Sequence, residues 1–331
     1  MTYHVISILN EGAYISVDLG FLVCRYQDGR ENRIPLPDVR GVIAAHPAIA
    51  FSNAALAKLL AQDSVVLHCN RQYKPVGWSV PLDRVIRGTV FTNQLNASKT
   101  FKRDLWEQLS TAKMRNQAEI LTWLGIEHSL ERLIQRALPS EANVARAYWK
   151  PYLTHIGAEF GKRERQGATS FENKALNYGY AVIATLIHRS VLIHGLLPSL
   201  GIHHVYRYRS APLVYDLMEP YRAIVDYLLA KWRLLPEIHS LKWQKMNEAE
   251  AELVFKQWIH FFMEGLRTHR LAPRDSKLTL KWLDAPDKGV RSVARCFEDS
   301  SLGALWLPTI QETYYHPETK DFADDGEEVE D

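Results

Sequence analysis

The chain has 331 residues, 47% hydrophobic and 24% charged, a mixture that suits a globular protein of one large or two ordinary domains. No apolar run nears the ~18 residues of a membrane helix, the Met-Thr-Tyr-His start carries no secretory pattern, and Cys24, Cys69 and Cys296 form no CxxC pair. A membrane span, a secretion signal, a disulfide framework and a zinc ribbon are therefore not expected, and a reducing cytoplasm is. The net charge of +2 hides an asymmetry. Seven acids and no base lie between Asp321 and Asp331, so the rest of the chain carries 40 bases against 31 acids, or +9. A basic body suits a polyanionic partner, and the acidic tail, 316–331, is expected to be disordered.

Up to about residue 88 the segments are short and punctuated. Strands are predicted at Tyr3–Leu9, Tyr14–Val17, Phe21–Tyr26, Asn32–Leu36 and Val39–Ala44, with Asp28-Gly29 as a hairpin turn. Ser52 caps a short helix over Asn53–Gln62, and Ser64–Cys69 and Val76–Val80 complete a sheet. After Gly88 the punctuation thins. Residues 89–124 and 237–264 hold no Gly or Pro and read as long helices. In 172–194, Leu176, Tyr180, Ile183, Ile187 and Val191 share one helical face, and Tyr178 and Tyr180 read as packing groups. The fold class is α+β: a small β-rich domain over 1–88, then a larger, mainly α-helical domain over 89–315.

Neither GxSxG, GxxxxGK[ST] nor GxGxxG occurs. Acids and histidines stand instead at helix boundaries. Glu141 follows Ser140 at a helix start, where an acid also suits the helix dipole. His203 and His204 end a Gly- and Pro-bearing turn, and at most one of two adjacent side chains can point into a site. Asp216 and Glu219 are three apart, a spacing that serves a capping box as well as a metal site. Carboxylates with one imidazole and no thiolate suit Mg²⁺ or Mn²⁺ better than zinc, and in a basic protein they point to phosphodiester chemistry. Lys113, Arg115, Arg146, Lys150, Lys162, Arg163, Arg165 and Arg222 are the candidate phosphate contacts. Taken singly, each reads more readily as an ordinary solvated surface charge.

Five blocks then occur in a fixed order: Lys113-Met-Arg-Asn-Gln117, Glu141-Ala-Asn-Val-Ala-Arg-Ala-Tyr-Trp149, Asn173-Lys-Ala-Leu-Asn-Tyr-Gly-Tyr180, Gly195-Leu-Leu-Pro-Ser-Leu-Gly-Ile-His-His204 and Asp216-Leu-Met-Glu-Pro-Tyr-Arg222. They resemble the signature blocks of the Cas-one family, the metal-dependent DNA integrases of CRISPR spacer acquisition. The resemblance covers roughly the first 230 residues. It implies that Glu141, His204 and Glu219 are the catalytic metal ligands, with Asp216 as a supporting acid. It selects His204 over His203, and it allows Asp at the place of Glu219. It also implies a prokaryotic cytoplasmic protein that forms homodimers through its β-rich domain. Two such dimers clamp a dimer of the small Cas-two protein in a heterohexamer. That assembly holds double-stranded DNA and joins its 3′-OH ends to the CRISPR repeat by transesterification. The competing expectations are a metal-dependent nuclease acting on branched or free DNA with water as the nucleophile, and a non-catalytic DNA-binding scaffold.

Overall fold

A computed structural model describes residues 4–82, 88–135, 141–158, 163–164, 168–204, 211–241, 246–271 and 280–310, with the backbone alone at 4, 141 and 142. The β-rich part holds two four-stranded sheets. One has the order β1 (His4–Ile8), β5 (Val39–Ala44), β7 (Val65–Cys69), β8 (Pro75–Ser79). Its first two pairings are parallel and its last is antiparallel. The other runs β4 (Glu31–Pro35), β3 (Phe21–Arg25), β2 (Tyr14–Asp18), β6 (Ala50–Phe51). The β3–β4 hairpin turns at Asp28 and Gly29, as the sequence predicts. Gly29 has φ +86° and the Arg30 N–H donates to Asp28 Oδ1. Helix α1 (Asn53–Ala61) starts at Ser52, whose hydroxyl accepts from Ala55 N–H. The two-residue β6 was not predicted, since so short a run carries no periodicity.

The first sheet is buried on both faces, and its two-residue period divides its side chains between two cores. Ile6, Val42 and Val66 face the second sheet and α1, together with Ile15 and Leu22. Val5, Ile43 and Leu67 face the other way, into the core of the helical part. Trp78 donates to Thr185 Oγ1 at 3.2 Å, and Ser7 hydrogen-bonds Tyr178, which ties this sheet to α6 (Phe171–Ile193).

The helical part contains α2 (Gly88–Asn96), α3 (Lys99–Trp123), α4 (Leu130–Ile134), α5 (Glu141–His155), α6, α7 (Pro212–Met218), α8 (Arg222–Arg233), α9 (Pro236–His239), α10 (Glu248–Thr268) and α11 (Ala285–Asp299). Among the described residues its strands are one two-residue pair, β9 (Arg270–Leu271) with β10 (Leu280–Lys281). Two long-helix expectations are corrected. The stretch 89–124 is two helices, because Ser98 restarts the chain by accepting Phe101 N–H. The stretch 237–264 is also divided, because Asn247 and Glu250 form a capping box that begins α10. Polar caps break helices as well as Gly and Pro do. Helix α6 is buried nearly all round, Tyr178 and Tyr180 included, so it is the central element of the core. Gly179 is fixed by this packing, since a Cβ there would lie 2.3 Å from Val225 Cγ1 on α8. The three cysteines are free and buried. Among the described residues no helix is long and apolar enough to cross a membrane.

Candidate metal centre

The centre is organised by Asp216, which is fully buried on α7. Its Oδ2 accepts from the backbone N–H of Ile202 at 2.6 Å and of His203 at 3.0 Å. Its Oδ1 accepts from the His204 N–H at 3.1 Å and from the ring Nδ1 of His204 at 2.6 Å. The carboxylate can only accept, so Nδ1 carries a proton, and in the neutral ring Nε2 keeps its lone pair. This is the arrangement by which an outer carboxylate orients a metal-binding imidazole. The His204 side chain is 36% exposed, and Asp216 not at all. The Gly201 of this turn is also explained. A Cβ there would meet the His204 carbonyl at 2.2 Å and Asp216 Oδ2 at 3.1 Å.

Trp106 of α3 supplies the wall of the turn. The His203 ring lies flat on it, 4.2 Å away and 4° from parallel, and the His204 ring meets it edge-on at 5.8 Å. The adjacent histidines thus divide their work, one packing on the indole and the other held by Asp216. No sequence block contains Trp106. An isolated Trp on a helix reads as core, which is why it was not selected.

Glu219 follows Asp216 by three residues, on the short 3₁₀ turn Glu219–Tyr221 that joins α7 to α8. It is 4% exposed. Arg222 Nε and Nη2 each approach Oε1 at 3.0 Å. Lys113 Nζ lies 2.6 Å from Oε2, an ion pair between two buried groups. Burial by itself would raise the pKa of this carboxyl, but the charges of Arg222 and Lys113 outweigh it and hold the pKa at about 2. Asn116 fixes the approach of α3. Its amide donates to the carbonyls of Pro220 at 3.0 Å and Pro308 at 2.9 Å. The Lys113-to-Gln117 block therefore brings α3 against the turn that presents Glu219.

Behind Arg222 lies a buried acid that the sequence reading passed over. The Arg222 guanidinium sits 4.6 Å from the centre of the Tyr180 ring. The Tyr180 hydroxyl donates to Asp226 Oδ1, and the Tyr148 hydroxyl donates to Asp226 Oδ2 at 2.9 Å. Tyr152 donates to the Asp226 carbonyl at 2.6 Å. Asp226 thus joins α5, which Glu141 opens, to α6 and α8. The available signal was an acid inside the apolar run Ala223-Ile-Val-Asp-Tyr-Leu-Leu-Ala230. Burial raises its pKa to about 6, against the pull of the two tyrosine hydrogen bonds. A raised acid favours the fold below its unfolded pKa, and that favour is lost as pH rises through the folded value. Against Asp226→Asn, wild type should therefore gain about 2 kcal/mol of relative stability between pH 7 and pH 4, at roughly 1.4 kcal/mol per unit. Glu219 stays ionised throughout that window. Urea midpoints of both proteins at the two pH values check this, and an unchanged difference would mean that Asp226 titrates normally.

The structure treats the predicted site residues unequally. It brings His204 and Asp216 together, and it brings Lys113 and Arg222 onto Glu219. Glu141 opens α5, but its side chain lies outside the described residues, as do Lys162, Arg165 and the tail at 316–331. Arg115, Arg146 and Lys150 are exposed. Three other expected phosphate contacts are instead held internally. Lys113 and Arg222 face Glu219. The Arg163 guanidinium donates to Asn173 Oδ1 at 2.9 Å and to Asn177 Oδ1, and it lies against the Trp149 and Tyr180 rings. Charge alone did not separate these from surface bases. Among the described residues no cluster of three or more His, Cys, Asp or Glu side chains could hold a metal. By donor type alone, an imidazole nitrogen and the Glu219 carboxylate suit a hard divalent ion better than zinc.

A casposase bound to integration product shares the fold. Its TM-score is 0.77 at 17% identity, covering 97% of this chain and 96% of that one. A Cas1 protein from Thermotoga maritima aligns with a TM-score of 0.71 at 15% identity, over 88% of this chain and 96% of that one. The CRISPR-associated endonuclease Cas1 of Neisseria meningitidis is 28% identical over 319 residues, 94% of this chain and 97% of that protein. A Pyrobaculum aerophilum CRISPR-associated endonuclease Cas1 is 30% identical over 250 residues, 68% of this chain and 81% of that protein. Residues 6–234, which hold nearly all of the two four-stranded sheets, all five sequence blocks and both Asp216 and Glu219, match the model of the family described as CRISPR associated protein Cas1, and the chain belongs to that family.

Proposed function

We propose that this protein is a metal-dependent DNA integrase and endonuclease of CRISPR adaptation. It would join the 3′-OH ends of protospacer DNA to the CRISPR repeat. The observation that carries the reading is the fully buried Asp216 carboxylate on His204 Nδ1, which fixes the orientation of a partly exposed imidazole. A cap or a packing histidine does not need a buried carboxylate on its other nitrogen. The residues that would hold Mg²⁺ or Mn²⁺ are Glu141, His204 and Glu219. Such an ion, when bound, supplies Lewis-acid polarisation of a phosphate oxygen and eases deprotonation of the attacking oxygen.

The chain's own residues do the rest. Asp216 keeps His204 in one tautomer and one orientation. Arg222 fixes Glu219 from the protein side, and Asn116 holds the turn against α3. Exposed Arg115, Arg146 and Lys150 neutralise backbone phosphates without reading sequence. The relatives named as endonucleases and the casposase neighbour support this class of reaction. A solved complex whose title names Cas1 and Cas2 supports Cas2 as the partner. The test is an assay with labelled donor duplex and supercoiled repeat plasmid. Covalent joint products are expected, and release of nucleotides without joining would leave hydrolysis as the activity.

The second sheet presents Tyr14, Leu19 and Phe21 to solvent, and they suit a two-fold contact between copies. Light scattering at micromolar concentration is expected to give twice the 38.0 kDa chain mass, and a monomeric mass would contradict this role for the sheet.

A further inference from the structure

We propose that Gln117 is a positioning residue of the metal centre, its buried amide serving as a hydrogen-bond partner of the hydration shell that a divalent ion brings with it. The inference rests on the reading of Glu219 as a metal ligand.

Gln117 lies on α3 and is 1% exposed. Its Oε1 and its Nε2 are both buried, and no protein group hydrogen-bonds either. A buried polar atom left unmet costs stability that an apolar side chain of the same size would not. Packing therefore does not account for an amide at this position. Its place in the fold does. Lys113 meets Glu219, Asn116 donates to the Pro220 carbonyl, and the Trp123 ring lies 4.5 Å from that of Tyr227. These pairs keep a nearly constant offset, so α3 and the stretch from Glu219 to Tyr227 run side by side in the same direction. That register sets Gln117 beside residues 221–223, just past the Glu219 carboxylate. Gln117 also follows Lys113 by four positions, which puts the two on one face of α3. Long helical side chains lean toward the helix N-terminus, so the amide lies over the turn that carries Lys113. A hard divalent ion such as Mg²⁺ keeps several of its waters when it binds, and those waters need acceptors. Lys113 and Arg222, which face Glu219, can only donate. The Gln117 carbonyl oxygen is the neutral acceptor that this side of the carboxylate otherwise lacks among the groups just named. Outer partners of this kind typically contribute about 10–100-fold to metal affinity.

The test is Mn²⁺ binding to the full chain, read from the free-ion electron paramagnetic resonance signal, together with thermal unfolding in the absence of metal. Gln117→Met keeps the volume and removes both polar atoms. It is expected to weaken Mn²⁺ binding about 10–100-fold. Without metal it is expected to melt above wild type, because two unmet polar atoms leave the interior. A packing role would give neither the loss of binding nor the gain in stability. Gln117→Glu keeps an acceptor of the same reach and is expected to bind Mn²⁺ at least as tightly as wild type. Wild-type Mn²⁺ affinity in Gln117→Met would overturn the inference. So would a Gln117→Met that melts below wild type, since the amide would then be satisfied within the fold. A Gln117→Glu as weak as Gln117→Met would trace the loss to packing and overturn it too. Glu219→Gln separates the two levels. If it binds Mn²⁺ as wild type does, the reading of Glu219 as a ligand fails and the inference falls with it. If it loses Mn²⁺ while Gln117→Met binds normally, only the role of Gln117 fails.

Discussion

His204→Ala, Glu141→Ala and Glu219→Gln are each expected to lower strand joining by at least about 10²–10³-fold, the loss typical when one group aimed at developing charge is removed. The three losses should resemble one another and should not add, because ligands to one site act as a unit. DNA affinity should change little, since it comes from Lys and Arg contacts elsewhere. The variants are not equally benign to the fold, and the geometry says why. His204 is partly exposed and its removal orphans one buried carboxylate lone pair. Glu219→Ala would take this carboxylate from the buried Lys113 and the partly exposed Arg222, at a cost of up to about 3–5 kcal/mol. Glutamine keeps the volume and still offers an oxygen to Arg222, so it is the informative change there. Under a pure capping role, loss of an acid would cost at most about 0.5–2 kcal/mol with activity retained. Joining rates and melting temperatures on the same three proteins distinguish the two. Wild-type joining in any two of them would remove the case for this site.

Asp216→Ala is expected to be the most damaging single change near the centre. It strips acceptors from three backbone N–H groups and from the His204 ring at once. Each buried donor left unmet costs about 1–3 kcal/mol. Loss of the outer partner of a metal histidine also costs about 10–100-fold in metal affinity or activity. Asp216→Asn should do almost as badly. All four atoms facing the carboxylate are donors, so an amide nitrogen placed among them meets only N–H groups. A calorimetric melt with a Mn²⁺ titration checks both parts. An asparagine variant with native stability and native Mn²⁺ affinity would show that Asp216 is dispensable to His204.

The change at residue 88 was legible because strands and long helices punctuate their sequences differently. The candidates His204, Asp216 and Glu219 could be picked out because they sit in contiguous blocks at helix boundaries. What was not legible is contact across long sequence separations. Nothing near Trp106 says that His203 will lie on it, and nothing near Asp226 names Tyr148 and Tyr180 as its donors. The division of the basic residues was hidden for the same reason. Lys113 and Arg115 are two apart on one helix, yet one faces a buried carboxylate and the other faces solvent. Helix periodicity permits that split, but only the packing partner decides which residue turns inward.

The first sheet feeds alternate side chains into two cores, and this has a mechanical consequence. Val5, Ile43 and Leu67 lock it to the helical part while Ile6, Val42 and Val66 lock it to the outer sheet. A shared wall of this kind leaves no hinge between the two halves. Whatever seats itself on the outer sheet therefore sets the attitude of α6 and, through the turn that follows it, the bearing of His204. In the symmetric pair proposed above the two imidazoles would stand at a span and angle fixed by the wall, and the pair would act as a gauge for the spacing of any strands bound across it.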